Sequence, residues 1–377
     1  MFKPPFCPYK QCKLHGDQED DSWWRRDGYH PTKAFGLVQR YQCRACLRTF
    51  SVQTFSVHYY AKRTIPLKTL EILASSSMSI RALGRKFCSS CGTITNRLDR
   101  LARQGIAVHS SLRPEATVDE PVCFDGLVSF EGSQYFPADI GISITYRSRY
   151  VLALSHATTR RSGRITDGQK ERRDQLYDGA SFEPHAVQRS MREQLDLLAA
   201  ERVISKRRPL LIITDEKLEY DRAYKRHPLY LEQTEDRRSI HIRVPSTLPR
   251  TQANPLFACN YYDREVRKDQ AQHRRETTCY ARSAVNDITR MYAYLVWHNY
   301  EKGYLIKWPV DRNETHAEIA GIAREKINCL REKMFRDRFF LSHLSLLPID
   351  EKVWRKGVYK PFDRTPRRPD LPKYAVA

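Results

Sequence analysis

The chain has 377 residues, and its 65 Lys and Arg outnumber its 44 Asp and Glu, which gives a formal charge of +21. This length can hold roughly two or three units with separate cores. A charge this positive favours a polyanionic partner. The first residues lack the apolar stretch of a secretory signal, and the apolar runs fall short of the ~18 residues that cross a bilayer. We therefore expect a cytoplasmic protein that does not engage a membrane.

Four of the ten cysteines stand in two pairs near the N-terminus. The stretches CPYKQC and QCRAC supply Cys7, Cys12, Cys43 and Cys46. In a reducing cytosol, spaced cysteines are more often metal ligands than disulfides, and four thiolates can close a tetrahedron around Zn²⁺. The pattern predicts a zinc ribbon over residues 1–60, with His15 or His30 as possible substitute ligands. The alternative is that the CxxC pair is a buried apolar pair or a redox pair.

Residues 61–112 carry apolar side chains at helical spacing and predict three short helices. Within them, SIRALGRKFCSSCGTITNRL has the pattern of a short helix, a turn and a second helix, which is typical of a helix-turn-helix. We expect Cys88 and Cys91 to be small apolar residues at the turn. We expect Ser89 or Ser90 to cap the second helix.

The second helix of such a motif enters the major groove of DNA. The side chains expected to contact DNA from its exposed face are Thr93, Asn96, Arg97 and Arg100. The same predicted face includes Thr95 and Arg103. The alternative is the solvated face of an ordinary three-helix bundle. Residues 1–113 hold 19 Lys and Arg against 7 Asp and Glu, a net charge of +12, which favours DNA.

Two acidic residues interrupt or end apolar strands. Asp125 lies within VCFDGLVSF, the first of three predicted antiparallel strands, where an unpaired carboxylate is costly unless it finds a metal or a partner. Asp215 ends the buried run LLIITD, and sites in α/β sheets gather at such strand ends. The alternative for Asp215 is a cap on the helix that follows. Carboxylates brought together in this way are suited to Mg²⁺.

A later helix, within about residues 256–275, is expected to supply the third ligand. The candidates, in order of preference, are Asp263, Asn260 and Glu276. Arg264 and Arg267 recur on the same helical face, so acid and amide groups would stand beside cations that suit phosphate. The alternative is a solvated amphipathic helix.

Together these stretches resemble transposases of short bacterial insertion sequences, which combine an N-terminal zinc ribbon, a helix-turn-helix and a DDE catalytic domain. QRYQCRACLRTFS resembles the second zinc knuckle of that group, and SIRALGRKFCSSCGTITNRL resembles its helix-turn-helix. RRETTCYARS, followed by HNY at 298–300, resembles the helical block that carries the family's last acid. The resemblance covers roughly residues 7–300. It departs at the wide CxxxxC knuckle and at the final acid-Arg dipeptide, which here contains Asp263 in place of the usual Glu.

The resemblance implies a multidomain α+β and α/β chain in four parts. These are a zinc ribbon (1–60), a helix-turn-helix DNA-binding domain (61–112), an RNase H-like, integrase-type catalytic core (116–310) and a helical or irregular basic extension (311–377). It implies that the four N-terminal cysteines bind structural Zn²⁺. It also implies that Asp125, Asp215 and either Asp263 or Asn260 hold two catalytic Mg²⁺ ions.

The activity implied is binding of terminal inverted repeats in double-stranded DNA, followed by Mg²⁺-dependent strand cleavage and transfer into target DNA. A homo-oligomer acting in the bacterial cytoplasm, at the nucleoid, is implied as well. Two alternatives remain open. One is a zinc and helix-turn-helix transcriptional regulator without catalysis, and the other is an RNase H-like DNA nuclease or resolvase.

Overall fold

The computed structural model describes residues 2–116, 120–202, 208–234, 238–275, 277, 279–305 and 313–358. This part of the chain is a mixed α and β structure with two separate sheets. None of its helices has both the length and the apolar character needed to cross a membrane.

The N-terminal sheet is small and antiparallel. Its strands are β1 (Trp24–Thr32), β2 (Gly36–Cys43) and β3 (Thr49–Ser51), in that spatial order. A separate aromatic cluster packs on it, comprising Phe6, Trp23, Tyr41, Phe50, Phe55 and, from far along the chain, Phe340. A core this small gives limited burial, and units of this size usually rely on metals or disulfides for stability.

Three helices follow, α1 (Leu67–Ser75), α2 (Ile80–Lys86) and α3 (Cys91–Leu112). The predicted cap is confirmed at Ser90, whose side chain accepts a hydrogen bond from the Thr93 backbone N–H. The prediction that all three helices are short is wrong for α3, which has 22 residues. Its C-terminal half is buried. Gly105 allows this half to pack closely against the helix that contains Val296, because a Cβ on residue 105 would lie 2.8 Å from the Val296 side chain.

The larger sheet has five strands, which the sequence pattern predicted as a meander and two later strands. They are β4 (Val122–Glu131), β5 (Ser133–Thr145), β6 (Val151–Thr158), β7 (Leu210–Asp215) and β8 (Ser239–Val244). Their spatial order is β6-β5-β4-β7-β8. The first three strands are antiparallel, whereas β7 runs parallel to β4 and β8 runs parallel to β7.

The remaining helices are α4 (Asp167–Tyr177), α5 (Ala186–Glu201), α6 (Leu218–Lys225), α7 (Pro228–Leu231), α8 (Phe257–Asp269), α9 (Ala284–Tyr300), α10 (His316–Ile319), α11 (Arg324–Arg336) and α12 (Pro348–Trp354). Of these, α5, α8, α9 and α12 pack against strands of the larger sheet. One hydrophobic core extends from α1–α3 through this sheet to α12. The predicted DNA-binding helices therefore share their buried surface with the sheet.

The segment after α11 joins the body to the N-terminal sheet. The Arg338 backbone N–H donates to the Phe55 carbonyl at 2.7 Å, and the Val57 N–H donates to the Arg336 carbonyl at 3.0 Å. The Phe340 ring packs on Phe6 with the centroids 5.1 Å apart. Part of the predicted C-terminal extension is thus a connector, while residues 359–377 lie outside the described residues.

Candidate functional site

The first two predicted acids lie side by side on adjacent parallel strands. In the pairing of β4 with β7, Cys123 stands opposite Ile213. Asp125 and Asp215 each lie two residues beyond this pair, where the alternation of side chains along a strand directs both to the same face. Both residues line one cavity. The equal offset along the two strands explains how residues 90 positions apart in sequence reach the same cavity.

Local hydrogen bonds orient both carboxylates. The Gly126 backbone N–H donates to Asp125 Oδ1 at 2.7 Å, and the Lys217 backbone N–H donates to Asp215 Oδ1 at 3.0 Å. Helix α6 begins two residues after Glu216, and its N-cap residue makes no side-chain cap. Asp215 therefore orders the turn before α6 rather than capping the helix in the usual manner.

Helix α8 brings Asp263 to the same place. A cavity of about 690 Å³ is lined by Asp125, Asp215 and Asp263 together. Asn260, on the same helix, is not one of the described residues that line it. Glu276, the remaining candidate, lies outside the described residues. The geometry thus brings Asp263, rather than Asn260, to the two strand acids.

The carboxylates repel one another in this cavity. The pKa of Asp125 is raised to about 7, first by burial and then by the negative charges of Asp263 and Asp215. The pKa of Asp263 is raised to about 6, mainly by burial, although Arg267 and Arg250 act to lower it. The buried Oδ1 of Asp263 has no hydrogen-bond partner among the described residues. A cation bound between these groups would relieve both the repulsion and the unmet hydrogen bond.

The three carboxylates share a cavity without converging on one point. In the described part of the chain, the four N-terminal cysteines are the group whose ligand atoms all lie within 4.8 Å of one another. A single ion held by all three acids would need such convergence. Two ions about 4 Å apart would not, because each acid can then serve one ion or bridge both. The donor set is hard oxygen, which fits Mg²⁺ or Mn²⁺.

The raised pKa of Asp125 predicts how stability depends on pH without a metal. Between about pH 4 and pH 7 the unfolded chain releases a proton that folded Asp125 retains, so the free energy of unfolding falls as pH rises through this window. Asp125→Asn should reduce this fall by about 1–3 kcal/mol. Urea unfolding at pH 5 and pH 8 measures it. Mn²⁺ should stabilise the parent more at pH 8, and equal stabilisation at both pH values would contradict the prediction.

Basic side chains also line the cavity. Arg267 lines it, and its guanidinium donates to the His273 carbonyl at 2.9 Å and, more weakly, to the Val128 carbonyl at 3.4 Å. Arg264 is exposed, lies over the Tyr261 ring at 5.6 Å and is not among the described residues lining the cavity. Further cations, which the sequence analysis did not single out, are Lys217, Arg250, Arg274 and Arg275.

The sequence pattern did not identify a fourth acid, Asp139 on β5, which pairs with a lysine that lines the cavity. Asp139 is 4% exposed, and its Oδ2 lies 2.6 Å from the Lys217 Nζ. Burial acts to lower the pKa of Lys217, yet the charge of Asp139 raises it above its usual value. The signal was available, because Asp139 begins the apolar run DIGISITY just as Asp125 interrupts its own strand.

The predicted DNA-contacting face of α3 is partly wrong. Arg97 and Arg100 are only 4% and 2% exposed, and Arg103 is buried as well. Arg100 donates to the carbonyls of Val57 and Tyr59, because the linker that enters α1 crosses the helix there. Thr93 and Asn96 stay partly exposed, and their contact with DNA remains a prediction. Substituting Arg97 or Arg100 would therefore disturb folding.

The turn before α3 also differs from expectation. Cys88 and Cys91 are exposed, so they are not small apolar fillers. Exposure of the turn leaves the N-terminal end of α3 accessible, with Gly92 exposed as well. If α3 contacts DNA, it does so through its first two turns.

The four N-terminal cysteines form a compact cluster that can hold a metal ion. The Sγ atoms of Cys7 and Cys46 are 3.7 Å apart, and those of Cys12 and Cys43 are 3.8 Å apart. A tetrahedron with Zn–S bonds of about 2.3 Å has edges of about 3.8 Å. His15 is not a ligand, since its Nδ1 and Nε2 lie 2.7 Å from the Cys7 carbonyl and 2.7 Å from the Ser342 hydroxyl. His30 lies outside the cluster.

Comparisons with protein-family models, curated proteins and solved structures find no match to this chain. Function has to be inferred from the chemistry of its sites. The cavity combines carboxylates that suit divalent cations with Arg and Lys side chains that suit phosphate. This combination is suited to a phosphodiester substrate.

Proposed function

We propose that this protein is a DNA transposase of the insertion-sequence type, with an RNase H-like catalytic core that cuts and joins strands. The observation that carries the proposal is the placement of Asp125 and Asp215 at equivalent positions on parallel β4 and β7, facing one cavity with Asp263. The strand order supports it, because three antiparallel strands followed by two parallel ones, with the first acid on the first strand, resembles the RNase H-like arrangement.

The catalytic roles follow from the positions of the side chains. Asp125, Asp215 and Asp263 would hold two Mg²⁺ ions, which supply an activated water or 3′ hydroxyl and stabilise the leaving oxygen. Asp125 and Asp263 bind a cation in their deprotonated forms, so their raised pKa values favour metal binding as pH rises. Arg267 and Arg250 would bind phosphate oxygens of the strand being cut.

The N-terminal regions would bind DNA. The cysteine cluster would hold structural Zn²⁺ and thereby order the small sheet. The exposed start of α3, with Thr93 and Asn96, would reach base edges of the terminal inverted repeats. A net charge of +12 over residues 1–113 supports this assignment. Because two ends of an element must be joined, the active form would be a homo-oligomer.

An RNase H-like nuclease or resolvase is the second candidate, because the same cavity would serve hydrolysis alone. A plasmid that carries the gene with its own flanking DNA separates the two. Incubated with the purified protein and Mg²⁺, a transposase cuts at both flanks and joins the released 3′ ends to other DNA. A nuclease cuts without joining. Absence of any Mg²⁺-dependent cleavage would contradict both candidates and leave a DNA-binding regulator.

A further inference from the structure

Lys217 is a cation placed beside the acids of the cavity. It follows Asp215 by two residues, and its backbone N–H is the donor that holds the Asp215 carboxylate. Its side chain lines the cavity and is 31% exposed. Its Nζ lies 2.6 Å from Asp139 Oδ2 and 3.4 Å from the Tyr220 hydroxyl. The ammonium group is therefore held by Asp139, while the lysine side chain stays partly exposed at the cavity.

Asp139 and Gly126 define the place of this ammonium group. Asp139 is buried, and within the described ranges its Oδ1 has no hydrogen-bond partner. A Cβ on Gly126 would lie 2.2 Å from that Oδ1, so glycine leaves the space that the Asp139 carboxylate occupies. A residue larger than glycine at position 126 would force the Asp139 carboxylate to shift.

Stability alone does not account for this pair. A buried ion pair is often no better for stability than a well-packed apolar pair of similar size. Here the lysine is instead partly open to a cavity that also contains Asp125, Asp215 and Asp263. An ammonium group has three donors, and with one on Asp139 it retains donors for another anion.

We propose that Lys217, positioned by Asp139, contacts a phosphate oxygen of the DNA strand that is cut in this cavity. The inference rests on the proposed function and adds a substrate-contacting residue in the turn after β7 to Arg267 on α8. The phosphate would lie between the metal-binding acids and Lys217, so its oxygens would be bound from both sides. Asp139 would act as a positioning residue, because it reaches the substrate through the lysine.

The test separates the charge of Lys217 from its orientation by Asp139. Binding of a short DNA duplex is measured against salt concentration with Ca²⁺ present, and nicking of supercoiled plasmid is measured with Mg²⁺. Lys217→Met should reduce the salt slope of log affinity by about one unit, the loss of one phosphate contact, and slow nicking about a hundredfold. Lys217→Arg should keep the parent slope. Asp139→Asn should keep the slope, because the charge remains, but slow nicking at least about tenfold.

Several controls keep the result interpretable. The double variant Lys217→Met with Asp139→Asn avoids an unpaired buried carboxylate. Its salt slope should be reduced as in Lys217→Met, and its melting temperature should equal that of the parent. Lys170→Met removes an exposed lysine from α4, paired with Asp167 at 2.8 Å, and should change neither readout. An unchanged slope in both Lys217→Met and the double variant would overturn the proposal. If the parent itself fails to nick DNA, the proposed function fails, whereas the slope still decides whether Lys217 contacts phosphate.

Discussion

Asp125→Asn should abolish Mg²⁺-dependent DNA cleavage, with a rate at least about a thousandfold below that of the parent. Asn keeps the size of the side chain and can still accept from the Gly126 N–H at Oδ1, so the fold should persist. It removes the negative charge that a divalent cation requires. Asp215→Asn should give the same loss. Plasmid nicking measures the rate, and duplex binding with Ca²⁺ should stay within about threefold of the parent.

The matched control is Asp167→Asn, which removes a carboxylate that is 93% exposed on α4. It should cleave at the rate of the parent. If Asp125→Asn and Asp215→Asn also cleave at that rate, metal catalysis at this cavity is contradicted and the transcriptional regulator becomes the better account.

The same assay decides the third catalytic position. Asp263 lines the cavity and Asn260 does not, among the residues described. Asp263→Asn should therefore lose about as much activity as Asp125→Asn, while Asn260→Ala should stay within about tenfold of the parent. The opposite order would move the third ligand to Asn260.

The second large effect concerns the N-terminal cysteines. Cys43→Ser should eliminate one equivalent of bound zinc per chain, because serine is a poor Zn²⁺ ligand and the three remaining thiolates leave the tetrahedron open. Metal binding contributes directly to the folding of small sites. A loss of even ~3 kcal/mol would accelerate amide exchange in β2 and β3 about a hundredfold. Elemental analysis and hydrogen exchange measure the two effects.

Cys88→Ser is the control for this prediction, since Cys88 is exposed at the turn before α3 and lies outside the cluster. It should retain zinc and the parent's exchange rates. The effect of Cys43→Ser should also reach residues 338–340, because this segment packs on the N-terminal sheet. Full retention of zinc by Cys43→Ser would contradict the assignment.

The two strand acids, Asp125 and Asp215, could be predicted from the sequence because each is a charged residue within or at the end of an apolar run. Asp125 interrupts an apolar strand, and Asp215 ends one. Their shared cavity requires only that β4 and β7 be adjacent and parallel, as observed. The third ligand was ambiguous because Asn260 and Asp263 are three residues apart on α8, close to the same face, and only the position of the helix on the sheet separates them.

The arginines of α3 show why the burial and the contacts of the other candidate residues could not be predicted from the sequence. Arg97 and Arg100 follow a helical spacing that suits either an exposed basic face or a buried contact. The carbonyl groups that Arg100 satisfies come from residues 57 and 59, more than 40 positions earlier in the chain. Similarly, Arg250 and Arg274 reach the cavity from segments without regular secondary structure, whose course periodicity does not predict.

The most direct test of the central claim is the position of divalent cations in a crystal grown with Mn²⁺ and measured at the manganese absorption edge. The account predicts two anomalous peaks about 4 Å apart, bound by Asp125, Asp215 and Asp263 in the cavity. Full Mn²⁺ occupancy elsewhere, with this cavity empty of metal, would contradict it.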